Sequence, residues 1–365
     1  MKKNMIAAGL MAAAATASHA QGGNVSVYGL IDTGVEYVTN VGAGGDNLTR
    51  MPTLTGTLPS RLGFRGTEDL GGGLKAVFTL ENGLAPDAGT QAQGGRLFGR
   101  QAFVGLSGDW GTVSIGRQYT MLFWSILDSD ILGPNIYGSG GLDSYIPNAR
   151  ADNAVAYRGT FSGLTLGATY SFGRDAVNAG PSPAGTNCAG ENAADSKACR
   201  EWSLMAKYDT AGWGVAAAYD RINGGPGAFA GLTSGGLGDS RATINGYVKF
   251  GQAKLGGGVI RRSNEASAAP RSDLYFIGGA YPVIPEITVE VELFRLDTKG
   301  NANDATLFAV RGLYHLSKRT AAYVTAGHVS NGGTLNLSVS GGAAGSNPVA
   351  GGSQTGLMVG MRHFF

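Results

Sequence analysis

Five arginines in this 365-residue chain lie in segments where apolar side chains recur at every second position. Arg61 and Arg65 alternate with Leu62 and Phe64, Arg100 is out of phase with Phe103, and Arg150 and Arg158 are out of phase with Val155 and Tyr157. A strand sends alternate residues to opposite faces. Each arginine is therefore expected on the face away from the apolar one, provided no bulge interrupts residues 150–158. Arg117 shares phase with Val113 and Ile115 and is expected at a rim. Clusters of charged side chains set ion preference; they do not make or break bonds. Nothing else in the chain offers bond chemistry. Beyond residue 20 the histidines are His315, His328 and His363, none in a motif, and GxSxG, Walker and HExxH patterns are absent. Catalysis needs a nucleophile, a base and an orienting group within reach of one another, so no enzyme is expected. Asp128-Ser129-Asp130 holds too few acids for an EF-hand loop. Neither a metal nor any other cofactor is expected.

These residues need elements to position them, and the two-residue rhythm runs the length of the chain. Residues 25–38, 60–68, 74–82, 96–106 and 112–117 read as the first strands. The cleanest alternation is Ile287, Val289, Val291 and Leu293 against Thr288, Glu290 and Glu292. Tight turns at 69–73, 108–111, 161–163, 210–212, 251–252, 283–285 and 317–318 take turns with long Gly/Ser/Asn-rich gaps. The total is about sixteen strands, an even number as outer-membrane barrels require. Four aliphatics opposite two carboxylates suit lipid outside and water inside, although a soluble sandwich could also solvate one face. Leu357, Val359, Met361 and Phe365 share a face at the end of the chain. A final strand of this kind fits a closed cylinder, where the last strand pairs with the first and no edge is left. The fold class expected is all-β: a sixteen-stranded antiparallel transmembrane barrel with short periplasmic turns and long extracellular loops. A barrel of that size leaves an aqueous channel rather than a packed interior.

Composition agrees. The chain has 62 glycines interleaved with strand-favouring residues, and no run beyond the first residues is long and apolar enough for a membrane helix. Lys2 and Lys3, the apolar run 6–17 and Ser18-His19-Ala20 read as a secretory leader cleaved after Ala20. Residues 21–365 then form a single domain. Without Lys2 and Lys3 the count is 26 basic against 26 acidic residues, so no nucleic-acid partner is expected. Export places Cys188 and Cys199 where disulfides persist. Their Gly/Pro/Asn-rich surroundings, with no CxxC or nearby His, favour a loop-closing disulfide.

Ser60-Arg61-Leu62-Gly63-Phe64-Arg65-Gly66, Arg100-Gln101-Ala102-Phe103-Val104-Gly105-Leu106 and Tyr157-Arg158 resemble the general porins of Gram-negative outer membranes. Val27-Tyr28-Gly29 and Gly360-Met361-Arg362-His363-Phe364-Phe365 look like the β-proteobacterial branch. The resemblance covers all of residues 21–365. It implies a homotrimer of sixteen-stranded barrels in the outer membrane, each a passive channel for ions and small hydrophilic solutes. It implies contact with lipid and lipopolysaccharide, and a third loop folded inward, here residues 118–149. Arg61, Arg100 and Arg150 match the family's basic wall cluster, Asp128 and Asp130 are the loop acids expected to face it, and Arg65 and Arg158 are further lumen residues. In place of the loop's usual Pro-Glu-Phe-Gly element stands Pro134-Asn135-Ile136-Tyr137-Gly138, which lacks the carboxylate. Three arginines against fewer loop acids lead to an expected weak anion preference. Leu30, where enteric relatives often carry lysine, counts the other way. A solute-specific channel of the same fold is the nearest rival; an outer-membrane enzyme or an adhesin is further off.

Overall fold

The computed structural model describes residues 24–175, 188–226, 228, 231–341 and 345–365. The leader expected at residues 1–20 lies outside them. The described residues form one sheet of eighteen strands. Two of these, Asp46–Arg50 and Thr90–Gln91, are short pieces inside loops. The remaining sixteen make the wall. They are β1 Asn24–Val41, β2 Arg61–Gly71, β3 Leu74–Ala85, β4 Gln101–Gly108, β5 Gly111–Tyr119, β6 Arg150–Phe161, β7 Leu164–Ser171 and β8 Glu201–Asp209. They continue with β9 Trp213–Asn223, β10 Gly238–Phe250, β11 Ala253–Asn264, β12 Arg271–Ile284, β13 Ile287–Thr298, β14 Ala305–His315, β15 Thr320–Asn331 and β16 Ser353–Phe364.

Each wall strand runs antiparallel to its sequence neighbours, and β16 pairs with β1 from Leu30↔Phe364 to Val38↔Gly356. The seam finishes where Gly29 and Phe365 exchange two backbone hydrogen bonds of 3.1 Å. Closure is what allows strands to cross hydrocarbon, because an open edge would leave unpaired N–H and C=O groups in lipid. Val25, Val27, Val35, Ile277, Val359 and Met361 face outward and are exposed. Outward aromatics lie at two levels. Tyr37, Tyr170, Tyr275 and Phe308 stand toward the long-loop end, and Tyr208, Trp213, Tyr281 and Tyr314 toward the short turns. These are the two interfacial girdles of a membrane barrel.

The interior differs from the expectation of a simple water-filled lumen. Inward side chains of β11–β16, among them Ile260, Phe276, Phe294, Leu307 and Met358, are apolar and buried. They pack against Leu132, Ile136, Tyr137 and Ile146 of the segment between β5 and β6. Six of the sixteen wall strands thus back onto a core rather than onto open water. Polar side chains remain among them: Glu292 accepts from the Leu132 amide at 2.7 Å, and Arg311 Nη1 donates to the Leu132 carbonyl at 3.1 Å.

Cys188 and Cys199 are joined by a disulfide and pack with Ala198 between β7 and β8. Closing a loop of this length contributes about 3 kcal/mol in the chain-entropy account. Cys199→Ser is therefore expected to make residues 188–199 sensitive to protease while the circular dichroism of the barrel stays unchanged.

Candidate functional site

The segment 120–149 leaves β5 and runs along the inside of the wall. Its first turn, α1 Met121–Ile126, lies against β8–β10. Further along, the Leu132 amide donates to Glu292 Oε2 at 2.7 Å and the Tyr137 hydroxyl donates to Glu36 Oε1 at 2.7 Å. On the way back Asp143 accepts from Arg241 Nε at 2.6 Å and Nη2 at 3.0 Å. The Tyr145 hydroxyl stands 2.6 Å from Glu201 Oε1 and 2.9 Å from Asp220 Oδ1. Glu36, Glu201 and Glu292 are fully buried. Burial without a partner would be costly for each, so these acids and the segment hold one another in place. Small wall residues admit it. A Cβ at Gly356 would come 2.5 Å from the Tyr137 hydroxyl, and one at Gly327 2.9 Å from its ring.

With the segment held against β7–β16 and, through Tyr137, against Glu36 of β1, an open cavity of about 580 Å³ remains beside β1–β6. Its charged lining is Arg61, Arg65, Arg158 and Glu81, with Tyr28, Tyr119 and Trp124 completing the walls. Glu81 accepts from Tyr28 Oη at 2.9 Å and Arg100 Nε at 2.7 Å, and Arg61 Nε is 4.0 Å away. The Tyr119 hydroxyl lies 2.7 Å from Arg100 Nη2 and 2.9 Å from Arg150 Nη2. Arg158 sits 4.0 Å over the Trp124 ring, and Arg65 5.1 Å over that of Tyr28.

The sequence-derived residues are distributed unevenly over this site. Arg61, Arg65 and Arg158 line the open space. Arg100 and Arg150 are each 3% exposed and stand behind it, joined through Tyr119. The phase assigned to β4 was wrong. Val104 and Leu106 are the exposed outward residues, and Phe103 lines the cavity. Arg100 precedes the strand and turns inward from there, its amide bonded to the Glu81 carbonyl at 3.1 Å. In β6 a bulge does intervene: Ala151 and Ala154 pair with Gln118 and Gly116, and Asn153 has φ 49°. Arg150 still reaches Tyr119, because both residues end their strands at the loop. Arg117 pairs with Asp152 at 2.6 Å.

The two loop acids do not face the arginines together. Asp128 is held by Lys207 at 2.5 Å, with Lys254 at 3.9 Å. Asp130 is 3% exposed and accepts from Ser139 at 2.6 Å. Its other partner is the buried Glu292 carboxyl, with which it shares a hydrogen bond. Among the described residues no cluster of acids, histidines or cysteines could hold a metal. Glu81 and Tyr119 were missed as site residues. Glu81 was legible, since it alternates with Leu80 in a strand already recognised. Tyr119 was not, because it lies where the strand rhythm stops.

A family model for Gram-negative porins matches residues 7–334. The chain belongs to the Gram-negative porins. It is 32% identical to outer membrane porin protein 32 of Delftia acidovorans over the full length of both chains. It is 40% identical over 199 residues to an outer membrane porin of Bordetella pertussis, covering 49% of this chain and 51% of that one. Among solved structures, an anion-selective porin from Comamonas acidovorans matches with TM-score 0.74 at 27% identity, covering 94% of this chain and 100% of the other. This porin is an outer-membrane channel for passive diffusion.

Inside the porin, burial pushes the Asp130 carboxyl up to about 6, with Ser139, Glu292, the Gly133 amide and Arg311 acting in the opposite direction. The docked loop then holds a proton that a freed loop gives up. Docking is strongest below about pH 4 and weakens by at most about 1.4 kcal/mol per unit as the pH rises to about 6. Hydrogen exchange of the amides in 127–142, corrected for intrinsic rate, is expected to be slower at pH 4.5 than at pH 7. Asp130→Asn is expected to remove the difference; an unchanged difference would rule out Asp130 as its source.

Proposed function

We propose that this porin favours anions, that its eyelet is the cavity between Arg61, Arg65, Arg158 and Trp124, and that it works as a homotrimer. The observation that carries the selectivity is the charge facing the water. Three guanidinium groups line the cavity against one carboxylate, Glu81, which Arg100 already pairs. Arg100 and Arg150 act from behind, keeping Glu81 and Tyr119 in place. Asp128 is left to Lys207 and Lys254 on the opposite wall, so it does not offset the arginines. The solved porin with TM-score 0.74 is itself described as anion-selective, and a Vibrio cholerae protein of the same fold is described in a trimer form. Charged clusters lining a pore set the sign of the ions it admits.

The test is a planar bilayer with a potassium chloride gradient. The expected reversal potential has the sign of chloride permeation, and current is expected in steps grouped by three. A potential of cation sign would overturn the selectivity, and single isolated steps the trimer.

A further inference from the structure

Cys188 and Cys199 frame a buried arginine. Arg174 follows β7, and its amide donates to the Cys199 carbonyl at 2.9 Å. Its neighbour Asp175 exchanges backbone hydrogen bonds of 3.2 and 2.8 Å with Cys188. The disulfide thus joins the two backbone stretches that pair with residues 174–175. On the other side the Asp152 amide of β6 donates to the Arg174 carbonyl at 2.7 Å. The side chain is 2% exposed and does not turn toward water. It reaches the return leg of the inward segment instead. Nη2 donates to the Asn148 carbonyl at 2.9 Å, the guanidinium lies 5.0 Å over the Tyr145 ring, and Nε is 3.4 Å from Glu201 Oε2.

That leg leads to the eyelet. The Asn148 side-chain oxygen accepts from Arg150 Nη1 at 3.2 Å, and Arg150 donates to the hydroxyl of Tyr119, which borders the cavity. The Ala149 carbonyl accepts from the Thr120 amide at 2.9 Å, so the two ends of the segment close on each other. A guanidinium that binds a carbonyl and covers an aromatic face sets both position and tilt, which a lysine ammonium does not. Arg241 separately clamps Asp143 and lies 4.2 Å over the same Tyr145 ring. The stretch that depends on Arg174 is therefore short, residues 146–149. We propose that Arg174 is a positioning residue for the eyelet, and that the Cys188–Cys199 bridge steadies the pore through it. The effect on the pore rests on ions passing through the cavity assigned above.

Hydrogen exchange of the full-length protein in detergent reads the return leg directly. Its reporters are the amides of Ile146, Asn148 and Ala149, which donate to the carbonyls of Asp143, Tyr145 and Ile146. Loss of a hydrogen bond from a charged donor is expected to speed their exchange roughly tenfold in Arg174→Ala, with the amides of β12–β15 unchanged. Arg174→Lys keeps the charge and is expected to recover part of the protection. The double variant Cys188→Ala, Cys199→Ala is expected to act on residues 146–149 in the same direction, and to add nothing once Arg174→Ala is present. In planar bilayers Arg174→Ala and the cysteine variant are expected to drop to partial current levels more often than the wild type at the same voltage. Unchanged exchange at 146–149 in Arg174→Ala would overturn the positioning role. Faster exchange confined to 188–199 in the cysteine variant would overturn the link through Arg174, and that arm leaves the buried Arg174 and Glu201 in place should Arg174→Ala not fold. Faster exchange at 146–149 with a current as steady as the wild type's would overturn the effect on the pore. The wild type's reversal potential, measured in the same bilayers, tests the eyelet itself and keeps the two failures apart.

Discussion

Replacing both Arg61 and Arg158 with glutamate is expected to turn the channel from anion-favouring to cation-favouring. Each substitution changes the local charge by two units, and both side chains line the open cavity. At about 6 Å in water, two unit charges interact by roughly 0.7 kcal/mol. Four units of change amount to roughly 3 kcal/mol before screening. Salt acts over about 10 Å at 0.1 M, which leaves a change of roughly tenfold in the chloride-to-potassium permeability ratio. The two glutamines at the same positions are expected to move the ratio about half as far. The reversal potential reads both results directly. An unchanged sign in the glutamate variant would mean that ions pass elsewhere. Making the same exchange at Arg261 and Arg295 on the outer face controls for net charge and is expected to leave the ratio alone.

Glu81→Ala is expected to have the largest effect on stability. Glu81 is a buried carboxylate that accepts from Arg100 and Tyr28. Without it, Arg100 keeps the Tyr119 hydroxyl as a partner but no adjacent counter-charge, while remaining 3% exposed. Breaking a buried pair on one side costs about 3–5 kcal/mol. The midpoint of heat-induced loss of the folded barrel in detergent should fall accordingly. Glu81→Gln retains an acceptor for Tyr28 and should lose less. The variants that do fold should favour anions more strongly than the wild type, because the one carboxylate in the cavity lining has gone. A Glu81→Ala barrel as heat-stable as the parent would show that water reaches Arg100 and solvates it.

The barrel was legible because its outer face obeys one rule throughout. Val289, Val291 and Leu293 alternate with Glu290 and Glu292, and the same rhythm at Val359 and Met361 marks the seam. The phase of single side chains was less secure. In β4, Phe103 seemed the natural outward residue because it is large and apolar. In a channel a large aromatic also serves as wall, and Val104 and Leu106 take the lipid side. In β6, the bulge at Asn153 shifts the register by one, which no residue pattern announces. The packed side of the lumen was hidden for a further reason. Leu274, Phe276 and Leu307 face inward, and their partners are residues 132–146, brought to them only by the path of the loop. Asp130 illustrates the same point: an acid on that loop suggested a partner for arginine, but the loop carries it to Glu292 instead.

On the eyelet proposed above, the loop occupies one side of the cylinder and solutes are expected to travel along a track set against a single arc of the circumference. Substitutions should therefore sort by longitude. Those on the arc from β1 to β6 should alter what passes while sparing the assembled protein, except where a buried pair is broken. Those behind the loop, from β10 to β15, should weaken assembly and leave current through each surviving molecule nearly untouched. A saturation scan scored separately for conductance and for yield would resolve the two populations.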